Sequence, residues 1–253
     1  NPAWTHLRRL DLVSNLLGAS SASLISKKTW ADLESLNLQQ NSVGERGAYE
    51  LSLNSAWVSL QTLNLQSNWI GDSGASDISK NKTWVNLQCV YLGDNWISDE
   101  GALSIGENTV WSNLTALSLQ INSIGAAGAA ALSKNSTWKD LQILDLSNNS
   151  LGDEGAGELA KNTTFIKLSR LGLASNEIGN LGAARLSENK SWFFLQELDL
   201  ASNKIDDIGA EELSKNIVWV KLETLNLSKN PINQNIENLR TKLCLPELKT
   251  LSK

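Results

Sequence analysis

The sequence predicts an α/β solenoid, built from short units that each add one strand to a parallel sheet and one helix outside it. Three observations predict this fold. Large aromatic residues recur every 27 residues, except for a first interval of 26. An asparagine recurs with the same spacing, and each asparagine follows leucines that alternate as they do in a strand. A fixed period of this length is the signature of stacked repeat units.

The tryptophan and asparagine columns define nine copies of the unit, and Phe165 takes the place of tryptophan in one of them. Because a large ring at one fixed phase occupies the same place in every unit, we expect this column to pack in the core. The tryptophans are Trp4, Trp30, Trp57, Trp84, Trp111, Trp138, Trp192 and Trp219. The asparagines are Asn15, Asn41, Asn68, Asn95, Asn122, Asn149, Asn176, Asn203 and Asn230.

The strand of each unit is clearest in LQTLNLQSNWIGDSGASDISKNKTW, residues 60–84. Its first part alternates, which places Leu63 and Leu65 on one face and Thr62, Asn64 and Gln66 on the other. The first face should join the core. The second should remain accessible on the sheet.

The turn and the helix follow the strand within the same unit. We expect the column asparagine to lie inside the turn, where its amide bonds to backbone groups that no strand partner satisfies. Gly71 and Gly74 should let the chain bend before a short helix over GASDISK, residues 74–80, with Ala75 and Ile78 facing inward. The tryptophan then closes the unit.

The repeated pattern LxxLxLxxN followed by IGxxGA resembles the leucine-rich repeat family, and within it the ribonuclease-inhibitor-like class. The resemblance covers nearly the whole chain. It departs from that class in the tryptophan column, where leucine is more usual, and in its slightly short period of 27 residues. The resemblance implies a parallel sheet on the concave face and helices on the convex face.

The repeats predict one domain over residues 1–253, containing about nine units. After Asn230 the pattern degenerates, so we expect residues 231–253 to form a degenerate C-terminal repeat or a cap. Within that segment, Leu248 and Leu251 resemble the start of a tenth strand.

Composition argues against several classes of function. The net charge is −5 and the pI is about 5.1, which disfavours nucleic acid as a partner. No apolar run approaches the roughly 18 residues of a membrane span. His6 is the only histidine, and Cys89 and Cys244 are far apart, so the sequence predicts no catalytic residues, no metal site and no cofactor. We expect a non-enzyme.

The location and assembly of the chain follow from weaker signals. The first residues are polar and already in pattern, with no signal peptide. We therefore expect a cytoplasmic protein, or one in the host cytosol if it is a secreted effector. We also expect a monomer without membrane contact.

Two recurring polar motifs are read as parts of the repeat. Acidic residues just ahead of the helices should favour the positive helix N-termini and cap their free amides. Glycosylation sequons recur mainly because the segment SKNxT repeats. The acidic residues are Asp72, Asp99, Glu100, Asp153, Glu154, Asp206 and Asp207. The sequons begin at Asn81, Asn113, Asn135, Asn162 and Asn189.

Trp69 and Trp96 stand out because they occupy the variable position after the column asparagine, in SNWIGD (67–72) and DNWISD (94–99). Neighbouring units should place them about one strand spacing apart, roughly 4.8 Å. Tyr91 and Cys89 should lie beside them on the concave face. An exposed aromatic cluster of this kind favours a contact site for a partner. The sequence equally allows two rings that only cover each other.

The predicted function is a non-enzymatic scaffold that binds another protein through the concave face and the adjacent loops. Two alternatives remain from the resemblance: a GTPase-activating or other enzyme-regulatory protein, and a fragment of a host-directed bacterial effector. Arg8 and Arg9 would be the residues to test for GTPase activation. Besides Trp69, Trp96, Tyr91 and Cys89, the predicted partner-binding residues are Asn64, Gln66, Asp145, Arg170 and Asp199.

Overall fold

The computed structural model describes residues 4–233, 238, 245 and 247–253. Within them, ten parallel strands form one sheet in chain order, and eight helices connect the first nine strands. The predicted α/β solenoid is confirmed. The strands are β1 (Arg9–Asp11), β2 (Ser35–Asn37), β3 (Thr62–Asn64), β4 (Cys89–Tyr91), β5 (Ala116–Ser118), β6 (Ile143–Asp145), β7 (Arg170–Gly172), β8 (Glu197–Asp199), β9 (Thr224–Asn226) and β10 (Thr250–Ser252). The helices are α1 (Ala19–Ser26), α2 (Gly44–Ser52), α3 (Gly71–Lys80), α4 (Asp99–Gly106), α5 (Ala126–Ser133), α6 (Gly152–Ala160), α7 (Asn180–Ser187) and α8 (Asp207–Leu213).

The strands pair so that equivalent positions of successive copies lie opposite each other. Leu63 of β3, for example, lies opposite Val90 of β4. Leu63 and Leu65 are fully buried, whereas Asn64 and Gln66 are only half-buried. The predicted assignment of the two strand faces is therefore confirmed, and every copy presents the same outward positions on the concave face.

The column asparagines link each copy to the one before it. Asn95 Oδ1 accepts the Asn68 main-chain N–H at 3.0 Å and the Ile70 N–H at 3.3 Å. Its Nδ2 donates to the main-chain oxygens of Leu65 at 2.8 Å and Gly93 at 3.0 Å. Asn95 is completely buried, so these bonds replace all of its contacts with water. The predicted role of the column is confirmed, and most of these bonds cross between copies.

A second buried asparagine ladder runs through the segment before the tryptophans. Asn135 Nδ2 donates to the main-chain oxygens of Gly106 at 2.9 Å and Asn108 at 2.8 Å. Its Oδ1 accepts from the main-chain nitrogens of Thr137 at 2.9 Å and Trp138 at 3.1 Å. The amide therefore fixes the turn that delivers the tryptophan to the core. The buried members are Asn54, Asn81, Asn108, Asn135, Asn162, Asn189 and Asn216.

This second ladder accounts for most of the predicted sequons. Their side-chain nitrogens are buried and donate to the main chain, so they do not face solvent. Asn113 differs, because it is exposed on a turn and donates only to Val85 O at 3.0 Å. The sequons that coincide with the ladder are Asn81, Asn135, Asn162 and Asn189.

The aromatic column forms the spine of the core. The rings from Trp57 to Trp219 are at most 1% exposed, and Phe165 fits the same place at 1%. Trp57 and Trp84 stack with ring centroids 6.1 Å apart. Trp4 is 54% exposed, so the expectation that it packs in the core is wrong. Within the described residues, the copy that contains Trp4 has a neighbouring copy on only one side.

The glycines of the unit act in packing as well as in the turn. Helix α3 begins at Gly71, earlier than expected, and contains Gly74. A Cβ on Gly74 would lie 2.8 Å from Ala48 Cβ on the preceding helix, so Gly74 lets two helices pack closely. Its predicted role in a bend is therefore wrong. Ala75 and Ile78 are fully buried, as predicted.

The acidic residues at the helix starts cap helices, but mostly not their own. Asp99 lies in the first turn of α4, and its Oδ1 accepts the N–H groups of Gly125 at 2.7 Å and Gly128 at 2.8 Å in the next copy. Asp206 instead caps its own helix through Ile208 N at 2.7 Å. The capping role was predicted correctly, and the helix that receives it was not. Asp72 and Asp153 repeat the contact of Asp99.

The tenth strand is confirmed. Thr250–Ser252 pairs in parallel with β9, and Leu251 lies opposite Leu225 with 8% of its surface exposed. Leu248 precedes the strand and is half-buried. Much of the predicted cap, residues 231–253, lies outside the described residues, so its nature stays a prediction.

Candidate binding site

Polar side chains on the concave face have a structural role at the ends of the strands. Asn64, Asp145 and Asp199 each end a strand, and one oxygen of each accepts the main-chain N–H two residues later at 3.0 Å. This bond turns the chain out of the strand. The two carboxylates keep their second oxygen for another contact.

A cavity of about 510 Å³ lies on this face and extends across most of the sheet. Five of the nine predicted binding residues line it. They come from different copies, and the parallel register brings them onto one surface. These residues are Gln66, Tyr91, Asp145, Arg170 and Asp199.

The acidic part of the cavity is centred on Gly172. A Cβ there would lie 2.5 Å from Asp145 Oδ1, so the absent side chain makes room between neighbouring strands. Arg170 Nε forms an ion pair with Glu197 Oε2 at 2.5 Å, and both groups are about half exposed. Among the described residues, Asp145 and Asp199 have no ion-pair partner. The cavity therefore suits a hydrogen-bond donor or a positively charged group.

Tyr91 and Cys89 form a separate contact on β4. Burial raises the pKa of the Tyr91 phenol, and the neighbouring Cys89 raises that pKa further through its charge and a hydrogen bond. The phenol therefore stays neutral and can donate a hydrogen bond in the cavity. The Cys89 thiol is half-buried, and Cys244 lies outside the described residues.

Trp69 and Trp96 form an exposed stacked pair at the edge of the concave face. Their ring centroids are 6.0 Å apart and their planes differ by 18°. Trp69 is 51% exposed and Trp96 is 67% exposed, so stacking covers only part of each ring. In the described part of the chain, no ring contact joins Tyr91 to either tryptophan. The expected aromatic cluster is thus divided between the loop edge and the cavity.

The backbone of this pair is unusual. Trp69 has φ +57° and Trp96 has φ +58°, a left-handed conformation that costs a bulky residue about 1–2 kcal/mol. The serines at the same position in other copies, Ser42 and Ser123, do not have positive φ. Both rings are therefore held outward at some cost in backbone energy.

Glycines in the preceding copies stabilise these loops. Asn68 O accepts from Gly44 N, and Asn95 O accepts from Gly71 N, both at 2.9 Å. Gly44 and Gly71 have φ of +64° and +60°, so the glycine that donates each hydrogen bond also has a left-handed backbone conformation. In the Ser123 copy, the serine N–H donates to the preceding copy instead. Each tryptophan loop is therefore paired with a left-handed glycine one copy earlier.

We expect Gly44→Ala to lower the free energy of unfolding by about 1 kcal/mol, because an L-residue is strained at positive φ. No atom lies within 4 Å of the added Cβ, so crowding does not contribute. Urea unfolding followed by circular dichroism measures the change. Gly18→Ala is the matched control, since Gly18 has φ −95° and its nearest contact would be Ser42 O at 3.7 Å. Equal losses in both variants would contradict the strain argument.

Sequence reasoning overlooked a second exposed surface, on the turns between each column aromatic and the next strand. The residue directly after the aromatic is exposed and apolar in several copies, which was visible as a column of its own. The exposed residues at this position are Val58, Val85, Ile166, Phe193 and Val220.

Metal chemistry and membrane crossing find no support in the described residues. These residues contain no group of three or more histidine, cysteine, aspartate or glutamate side chains that could hold a metal ion. None of the described helices has the length and apolar character needed to cross a bilayer.

Comparison with known proteins supports the assignment of the repeat. A family model described as "Leucine Rich repeat" matches five segments, residues 58–79, 85–106, 112–133, 139–160 and 193–214. The match supports the leucine-rich repeat and leaves the narrower ribonuclease-inhibitor-like class untested. A search of curated proteins gives no match.

One solved structure, described as the crystal structure of a plant ice-binding protein, shares the fold. It is 23% identical with a TM-score of 0.54, and the alignment covers 98% of this chain and 74% of that chain. Another, described as the plant peptide hormone receptor RGFR1 in complex with RGF2, is 18% identical with a TM-score of 0.49. That alignment covers 98% of this chain and 47% of the receptor chain. At these identities the likeness concerns the fold alone.

Proposed function

We propose that this leucine-rich repeat protein is a non-enzymatic scaffold that binds another protein through its concave face and the adjacent Trp69–Trp96 loops. The observation that carries the proposal is the stacked pair itself. More than half of the surface of each tryptophan is exposed, and each has a left-handed backbone conformation that disfavours bulky residues. Nothing in the repeat requires tryptophan there, because serine occupies the same position in other copies.

The energetics of interfaces support this reading. Tryptophan is enriched among the few residues that dominate binding energy, because it buries a large rigid surface at a small entropic cost. Ser42 and Ser123 flank the pair in the neighbouring copies. Since serine is small, the outer face of each ring remains open to a partner. An apolar or planar side chain of the partner fits this edge.

The cavity on the concave face supplies polar recognition. Asp145 and Asp199 each have one oxygen that is not used by the main-chain turn, and the Tyr91 phenol is neutral. A partner that brings an aromatic or aliphatic anchor to the tryptophans and a donor or cationic group to the cavity would match both surfaces.

The GTPase-activating alternative has no comparable support. Arg8 Nη2 forms an ion pair with Glu34 at 2.5 Å, so it is already occupied in this structure. Arg9 lines a smaller depression on β1–β3 beside Asp11. Both arginines belong to the first copy, whereas Trp69 and Trp96 belong to the third and fourth copies.

The proposal is tested by removing the rings without disturbing the fold. We expect Trp69→Ala/Trp96→Ala to reduce partner retention at least tenfold in affinity capture, because the loss of anchor residues commonly costs about 2 kcal/mol or more. Leu16→Ala is the matched control. Leu16 occupies the same position of its copy, has φ +54° and is 87% exposed.

Two further measurements make the result decisive. Circular dichroism establishes that both variants keep the fold, and Tyr91→Ala/Asp145→Ala reports whether the cavity contributes. Specific partners that the wild type and Leu16→Ala retain, and the tryptophan variant loses, support the proposal. Unchanged retention by a folded tryptophan variant overturns it.

A further inference from the structure

An apolar and basic surface occupies one end of the turn edge, away from the tryptophan loops. We call it the edge patch. It belongs to the last three copies that contain a column aromatic, and its apolar members are between 45% and 76% exposed. The edge patch consists of Ile166, Phe193, Phe194, Ile217 and Val220, with Lys167, Lys190 and Lys221.

Tight turns project these side chains outward. Leu195 N donates to Trp192 O at 3.2 Å, which places Phe193 and Phe194 at the centre of a β-turn. The same bond runs from Leu222 N to Trp219 O at 3.0 Å. Because Trp192 and Trp219 are buried at 1% exposure, each turn is anchored in the core and its central residues cannot fold inward.

The register of the sheet aligns the turns in a row. Arg170 lies opposite Glu197, and Glu197 lies opposite Thr224. Ile166, Phe193 and Val220 each precede these strand residues by the same number of positions, so they are neighbours at a spacing of roughly 4.8 Å. These three apolar side chains therefore form a row along the edge.

The charge of this surface differs from that of the whole chain, which is −5. Lys190 is exposed and has no ion pair among the described residues, and Lys221 Nζ lies 4.1 Å above the Phe194 ring. Lys167 pairs with Asp140. One copy further on, Glu247 occupies the position that matches Lys221. Among the described residues, Lys190 and Lys221 therefore have no ion-pair partner within or beside the edge patch.

The same edge in the earlier copies lacks this combination. The two turn positions hold Val58 and Ser59 in one copy and Val85 and Asn86 in the next. Val58 and Val85 are 47% and 46% exposed, and neither is followed by a lysine or a phenylalanine on its turn. Lys82 occupies in the Val85 copy the position of Lys190, so the edge patch differs from this part of the edge in its phenylalanines and in Lys167 and Lys221.

We propose that the edge patch binds the surface of an anionic lipid bilayer, independently of the protein-binding function. Single apolar side chains on projecting turns fit the interface between lipid headgroups and acyl chains, which needs no matching pocket. Lysines can rest their aliphatic stems on that apolar layer while their ammonium groups meet anionic headgroups. This contact is peripheral and involves no membrane-spanning segment. It departs from the expectation, drawn from the sequence, of a protein without membrane contact.

Co-sedimentation with vesicles tests the proposal. We expect the wild type to bind vesicles of phosphatidylcholine with phosphatidylserine, and to bind vesicles of phosphatidylcholine alone much less. Phe193→Ser/Phe194→Ser removes the apolar anchor, and Lys167→Gln/Lys190→Gln/Lys221→Gln removes the charge. Each should lower the bound fraction about tenfold.

Val58→Ser/Val85→Ser is the matched control, because it makes the equivalent change at the other end of the edge and should bind as the wild type does. All substituted residues are exposed, and circular dichroism verifies the fold of each variant. The proposal is overturned if the wild type fails to sediment with the anionic vesicles. That result is expected if the partner of the edge patch is an acidic protein and not a bilayer. Unchanged binding by the phenylalanine variant overturns it as well.

Discussion

Asn95→Ala is expected to lower the free energy of unfolding by about 4 kcal/mol, which is a large share of the stability of an ordinary domain. The substitution removes a buried amide with four main-chain partners. Each partner left buried without a hydrogen bond costs about 1–3 kcal/mol, reduced where the neighbouring chain can relax. Urea unfolding followed by far-ultraviolet circular dichroism measures the loss.

Asn113→Ala is the matched control for this effect. Asn113 is exposed and makes one side-chain hydrogen bond, to Val85 O at 3.0 Å, so water can replace the lost partner. We expect a change of about 0.5 kcal/mol or less. Similar losses in the two variants would show that the ladder contributes no more than an asparagine on the surface.

The parts of the fold that the sequence predicted correctly are those that repeat with a clear chemical pattern. Leu63 and Leu65 alternate with polar residues, which is enough to assign the strand faces. The Asn95 column was recognisable because a polar residue at a core phase needs backbone partners. In both cases the information lies within one copy of the unit.

Contacts between copies were harder to predict, because every copy offers the same residues at the same phase. Asp99 could cap its own helix or the next one, and only the packing of α4 against α5 selects the next. Asn135 belongs to a buried ladder, yet its surrounding residues also spell a sequon. A short motif cannot distinguish these two environments, since burial decides between them.

The candidate site shows the same limit. The sequence identified Trp69 and Trp96 as exceptions to the repeat, and it left open whether they stack or remain exposed. They do both: the two rings stack on each other, and more than half of the surface of each residue remains exposed. Positive φ at the two tryptophans was not predictable, since it accompanies contacts between copies, here the hydrogen bonds from Gly44 and Gly71 to the Asn68 and Asn95 carbonyls.

The second large effect concerns the tryptophan column, whose indole N–H groups differ in their surroundings. Trp57 Nε1 donates to Lys28 O at 3.0 Å. The buried Nε1 atoms of later copies have no hydrogen-bond acceptor in the structure. A buried donor without a partner costs free energy, so the indole is retained there for its size and not for its polarity. These later residues are Trp84, Trp111, Trp138, Trp192 and Trp219.

Trp84→Ala is therefore expected to cost about 3–5 kcal/mol, because it removes a fully buried ring and leaves a cavity beside Trp57. Trp84→Phe should cost much less, since Phe165 already fills this place in the column and the substitution also removes the unpaired N–H. Trp57→Phe makes the same change in volume but breaks a hydrogen bond and leaves the Lys28 carbonyl with one donor fewer. Urea unfolding should therefore place Trp57→Phe about 1 kcal/mol below Trp84→Phe in stability. If Trp84→Phe were the less stable variant, the hydrogen bonding of the indole N–H would not determine the cost of replacing a column tryptophan by phenylalanine.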